Sequence, residues 1–142
     1  MKSYTCISVA AFTLAAALGD EPKASVLTQQ DVLGSWKLVS VKIDGKAVTQ
    51  PRGTTTIKHV TPSQFMWTTY DASGTMTVAG GGGYDLKSDK YVETPEYGMG
   101  GDFPLLKGKK QVFTGKVESG KWHHRGKLSS GLHIEELWEK VE

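Results

Sequence analysis

Lys121-Trp122-His123-His124-Arg125-Gly126-Lys127-Leu128-Ser129-Ser130-Gly131-Leu132-His133-Ile134-Glu135-Glu136-Leu137-Trp138-Glu139 is the stretch that decides the fold. Ser129-Ser130-Gly131, a three-residue loop with glycine last in the left-handed position, is a common hairpin connection. It pairs Leu128 with Leu132, which sets Arg125 against Glu135 and Lys121 against Glu139. Both are opposite-charge pairs that favour this register, whereas a shift by one residue would oppose Lys121 to Lys140. The favoured register puts Trp122 opposite Trp138, His124 opposite Glu136 and Gly126 opposite Ile134. Any one-residue slip would turn all of them to the other side of the sheet.

Working outward, Ser119-Gly120 closes the preceding hairpin and sets Glu118 against Lys121. Phe113, Gly115 and Val117 then share the face of Trp122 and His124. The other face carries Lys116, Glu118, Lys121, His123, Arg125, Lys127, His133, Glu135 and Glu139. The apolar, aromatic face must point inward. A third hairpin at Ser88-Asp89 opposes Leu86 to Tyr91 and Tyr84 to Glu93. Its inward set is Tyr84, Leu86, Tyr91 and Glu93, with Tyr97 added by alternation.

From Gly34 onward, short runs rich in Val, Thr, Tyr, Phe and Trp alternate with Gly, Asp, Ser and Pro. Strands are expected near 35–43, 46–49, 54–60, 64–71, 75–79, 83–88, 90–97, 111–118, 121–128 and 132–141. Residues 80–83 form a bulge or bend at a barrel corner, and 98–110 is a long loop of the kind that is often functional or mobile. Residues 20–33 form a linker with one helical turn near 29–33. Together these give an all-β, antiparallel, up-and-down lipocalin-like β-barrel of about eight to ten strands, enough to close around side chains or one small ligand.

The chain has 142 residues and a net charge of +2. That length suits one domain, and without a basic stripe or RNA-binding aromatic motif there is no case for nucleic acid. Residues 1–19 have the layout of a secretory signal peptide: Lys2, an apolar run from Ile7 to Leu18, and small residues at Ala17-Leu18-Gly19 before Asp20-Glu21-Pro22-Lys23. The mature protein is expected to begin near Asp20 and to be secreted or periplasmic. Its charge is then +1, and the sole cysteine, Cys6, is lost with the signal. No later segment approaches the ~18–20 apolar residues of a transmembrane span. A cysteine-free exported domain must rely on a closed, well-packed core.

Gly34-Ser35-Trp36, followed by Lys37-Leu38-Val39-Ser40-Val41, resembles the Gly-x-Trp start of lipocalins and their calycin relatives, in which the Trp plugs the closed end of the barrel. Phe65-Met66-Trp67, Gly80-Gly81-Gly82-Gly83-Tyr84, Lys90-Tyr91-Val92-Glu93-Thr94-Pro95-Glu96-Tyr97 and Glu136-Leu137-Trp138-Glu139 extend it. Over residues 33–142 the chain resembles a bacterial secreted lipocalin-like domain family. The resemblance implies the barrel and export, and no particular activity. Lipocalins also carry an Arg near the last strands that packs on the Trp. The only nearby candidate, Arg125, falls on the outward face, which argues for a calycin relative over a standard lipocalin.

Glu93, His124 and Glu136 are ionisable residues on an otherwise apolar inner face. Such groups pair, shift their pKa, or meet a ligand or water. They are the candidate polar contacts of an interior ligand site whose walls are Trp67, Tyr84, Tyr91, Trp122 and Trp138. The same large residues, with Trp36 and Phe65, could instead fill the barrel, and His124 and Glu136 could simply bond each other. Three readings stay open: a barrel holding an unidentified small molecule, a filled barrel meeting a protein or glycan through loops such as 98–110, and an enzyme using the interior acid and base groups. No catalytic residue is assigned, because nothing places a nucleophile such as Ser40 beside a base. No metal is expected, since His123 and His124 point to opposite faces and His59 and His133 lack ligand neighbours. No cofactor motif is present; residues 80–83 lack the ending of a phosphate loop.

Overall fold

The structure, a computed structural model, describes residues 26–141. The expected signal peptide and the first part of the expected linker lie outside the described residues. Nine strands form one antiparallel sheet: β1 (Gly34–Ile43), β2 (Lys46–Val48), β3 (Thr55–Val60), β4 (Gln64–Tyr70), β5 (Met76–Lys87), β6 (Lys90–Met99), β7 (Gln111–Glu118), β8 (Lys121–Lys127) and β9 (His133–Lys140). Each of β3 to β9 pairs with its neighbour in sequence, and β9 returns to pair with β1. The result is a closed eight-stranded up-and-down barrel. The extra strand, β2, forms a hairpin on the far half of β1 through Val41, Lys42 and Ile43. Closure satisfies edge strands that would otherwise offer unpaired backbone groups.

All three hairpin registers read from the turns are present, including Trp122 opposite Trp138, His124 opposite Glu136, Glu118 opposite Lys121 and Tyr84 opposite Glu93. Gly131 adopts the expected left-handed geometry, with φ of 96°, and Ser88 and Ser119 are left-handed as well, at 57° and 51°. The irregularity expected at residues 80–83 is present, as a register shift against β6 between Gly81 and Gly82. These residues lie within the single long strand β5, which replaces the two strands expected there. Glycine is needed because Trp67, on the neighbouring strand, lays its indole where the Gly80 side chain would stand. The register of β6 against β5 shifts where Gly81 faces Tyr97 and Gly82 faces Pro95. That bulge keeps Pro95 buried and turns Tyr97 outward, against the inward position that alternation gave it.

The two ends of the barrel differ. At one, the described end of the expected linker packs into the core: Leu27 and Val32 are buried, and α1 (Gln29–Val32) caps the opening. Thr28 and Asp31 form a capping box, and the Trp36 indole donates to the Val32 carbonyl at 2.8 Å. Trp36 is fully buried there, as the Gly-x-Trp resemblance implied. The cation over its ring is Lys140, 5.3 Å from the centroid. It is contributed by the last strand. Phe65, Tyr91 and Trp122 fill this half. At the other end, β6 runs on to Met99, so the expected 98–110 loop is shortened to residues 100–110; it carries α2 (Phe103–Leu106), whose Phe103 and Leu106 turn into the barrel. Gly108 donates to the Pro95 carbonyl at 2.7 Å and ties this cover to β6.

Candidate functional site

Aromatic packing stops halfway up the barrel. Above it lies a cavity of about 260 Å³, roofed by Phe103 and Leu106 and bordered by Trp67, Glu93, Glu136 and Trp138. A larger depression of about 510 Å³ lies beside Val26 on the outer side of β7–β9. Its border is mostly the solvated face, with Lys116, His123, Arg125 and Glu135, although His124 and Glu136 also reach it. The interior cavity gathers more of the expected site residues, Trp67, Glu93, Glu136 and Trp138, and is the better candidate site.

The floor is polar, and its central residue is one the sequence reading missed. Lys58 on β3 is 3% exposed. Its Nζ donates to Glu93 Oε1 at 2.8 Å and lies 4.9 Å from the Trp138 ring and 5.4 Å from the Trp122 ring. One carboxylate and two indole faces therefore enclose the ammonium group. A signal for it existed. With Thr61-Pro62-Ser63-Gln64 as the loop, Val60 opposes Phe65 and Lys58 opposes the inward Trp67.

Glu136 is half-buried, and its Oε2 accepts from Trp138 Nε1 at 3.0 Å. Burial pushes its carboxyl pKa above the usual range, against the pull of the Lys58 charge and with a further push from Glu93. His124 is placed on the same face but makes no hydrogen bond with Glu136. Neither of its ring nitrogens has a partner among the described residues, and the same holds for the Tyr91 hydroxyl. The His124–Glu136 hydrogen bond that the filled-barrel reading allowed is absent, although the two stand opposite each other across β8 and β9 as the register predicted. Glu136 is taken by the indole two residues along its own strand, and His124 is wedged among rings, 3.9 Å from Phe113, 4.9 Å from Trp122 and 5.6 Å from Tyr91. Burial, followed by the Lys58 charge, holds the His124 pKa well below its usual value. Burial, with Glu93 beside it, holds the Tyr91 phenol well above.

The expected ligand set therefore divides. Glu93, Glu136, Trp67 and Trp138 border the cavity. Tyr91, Trp122 and His124 lie beneath it as packed core, and Tyr84 packs at a tilt against Tyr91 near the α1 end, where its hydroxyl donates to the Thr61 carbonyl at 2.8 Å. Among the described residues no three His, Cys, Asp or Glu lie together in a metal-binding group. No helix there is long and apolar enough to cross a membrane.

The burial of His124 has a pH consequence. Above pH ~6.5 the imidazole is neutral in both folded and unfolded chains and contributes nothing. Below it the unfolded chain takes up a proton that the folded chain refuses, so stability falls. Glu136 acts in the opposite sense, regaining stability as acidification carries the solution down through its raised pKa. The expected result is that the wild-type melting temperature drops more steeply from about pH 7 to about pH 5.5 than that of His124→Phe. Equal slopes would show that His124 is solvated.

Fold and site together define a closed, lipocalin-like β-barrel with a polar-floored interior cavity. No protein-family model and no curated protein matches the chain. Among solved structures it is similar to a point mutant of the fluorescent protein UnaG, at 9% identity over 81% of this chain and 99% of that one, with a TM-score of 0.40. The chemistry of the cavity is read from its own residues.

Proposed function

We propose that the protein binds a small molecule inside the barrel, between the Lys58–Glu93–Glu136 floor and α2. The observation that carries this reading is the cavity itself. A barrel of this size can be filled by side chains, yet here about 260 Å³ stays open over a charged floor with indole walls. The volume is just below the ~300–1,000 Å³ of drug-sized ligand sites, which suits a compact occupant. Trp67 and Trp138 border the space, so occupancy should alter intrinsic fluorescence. A panel of small aromatic and aliphatic compounds is expected to give saturable changes. Ile134→Trp, which fills the cavity from a half-buried wall position, should abolish them while the far-ultraviolet spectrum stays unchanged. Saturable binding that survives the filled cavity would place the site elsewhere.

A second reading is supported by the outer side of the α2 end. Leu105 and Met99 are 57% and 54% exposed there, beside the outward Tyr97, and such apolar surface suits a protein partner. Export is part of the proposal as well, on the layout of residues 1–19. N-terminal sequencing of the exported protein should begin near Asp20, and an intact Met1 would refute it.

A further inference from the structure

We propose that the cavity selects a cationic ligand, one that presents a protonated amine to Glu136, and that it rejects carboxylic acids. This rests on the cavity being a ligand site. The charges facing the space can be counted strand by strand among the described residues. Lys58 on β3 is the one cation bordering it. Glu93 on β6, Glu136 on β9 and Asp102 at the start of α2 are acids. β1, β4, β5 and β7 contribute only uncharged groups and β8 none, His124 of β8 lying beneath the floor as a neutral ring. Acids outnumber bases by three to one around the same space.

The Lys58 ammonium is also already satisfied. It is held at 2.8 Å by Glu93 and lies over two indole rings, so an incoming anion would meet a neutralised cation and two like charges. Glu136 is in the opposite position. Its one hydrogen bond, from Trp138 Nε1, reaches Oε2, and Oε1 has no partner among the described residues. Burial holds the Glu136 pKa above the usual range, and the Lys58 charge that opposes this is already engaged by Glu93. An ammonium group placed there supplies the countercharge to this carboxylate, and the indoles of Trp67 and Trp138 add cation–π attraction. The remainder of the ligand meets Leu38, Phe113, Leu128 and Ile134. The fitting class is thus a compact molecule with one amine and an apolar body.

The test uses calorimetric titration of the wild-type protein with benzylamine, benzyl alcohol and benzoate, which share one ring and differ in the group offered to Glu136. Benzylamine should bind about tenfold or more tightly than benzyl alcohol, the advantage of a charged over a neutral hydrogen bond, and benzoate should be weakest. Glu136→Gln retains an acceptor for Trp138 and should bring the amine down to the level of the alcohol. A measurement needing no variant is the pH dependence: acidification protonates Glu136, whose pKa is raised, and should weaken benzylamine binding while leaving that of benzyl alcohol unchanged. Benzoate binding as well as benzylamine would overturn the charge selection while leaving the cavity a ligand site, as would amine preference that survives Glu136→Gln or an amine affinity that does not fall on acidification. Failure of all three probes to bind would overturn the cavity reading itself.

Discussion

Trp122→Ala is expected to destabilise the protein by about 3–5 kcal/mol, as large-to-small changes at packed aromatic positions do. Trp122 is 1% exposed and sits at the junction of the filled half of the barrel. Its ring meets Trp36 edge-on at 5.4 Å and Tyr91 edge-on at 5.1 Å, and lies 4.9 Å from His124. Each neighbour is itself buried and fixed from its own strand, so the barrel can collapse only partly into the hole. Arg125, three residues along the same strand, is exposed on the outer face opposite Glu135. Arg125→Ala should cost only about 0–1 kcal/mol, the usual worth of a solvated pair. Urea melts of the two variants measure both. Comparable losses would mean that the faces of β8 are assigned wrongly.

That contrast is legible in the sequence because the turns of the last three hairpins are short. Ser88-Asp89, Ser119-Gly120 and Ser129-Ser130-Gly131 each admit few geometries, and a charge pattern on one face chooses among registers. Elsewhere the pattern is ambiguous. In Thr54-Thr55-Thr56-Ile57-Lys58-His59-Val60 both parities contain an apolar residue, and the inward set places a lysine between Thr56 and Val60. A lysine is a poor guess for an interior until its carboxylate partner is known, and Glu93 is 35 residues away in sequence. Tyr97 departs from its expected face because a bulge has no signature in alternation. The linker reading of residues 20–33 gives way over its described end because Leu27 and Val32 have a barrel mouth to cover. The open cavity is illegible for a different reason. Whether large side chains fill a barrel depends on where their rings point, and most of the aromatics here lean toward the α1 end.

Lys58→Met should be as damaging as the loss of Trp122, about 3–5 kcal/mol, and for an electrostatic reason. The side chain is nearly isosteric, so packing changes little. What is lost is the partner of Glu93, a carboxylate that is 5% exposed and stands between Tyr91 and Pro95 on β6. Removal of one member of a buried pair strands the other in a medium that cannot solvate it. Glu93→Leu should be costly in turn, because it leaves the ammonium only the indole faces and the more distant Glu136. The double variant Lys58→Met, Glu93→Leu should be nearer to wild type than either single change, since apolar replacements of a whole buried pair are often neutral or stabilising. A double-mutant cycle in urea measures this directly. If the single and double losses simply add, the two groups are solvated separately and the 2.8 Å contact is not a buried ion pair. If the cycle closes as expected, the ion pair is not what holds the barrel together. Its value then lies in the cavity floor, where it occupies the one internal cation among the described residues and leaves Glu136 to face the ligand. The double variant retains Glu136, so it should fold and still prefer benzylamine to benzoate.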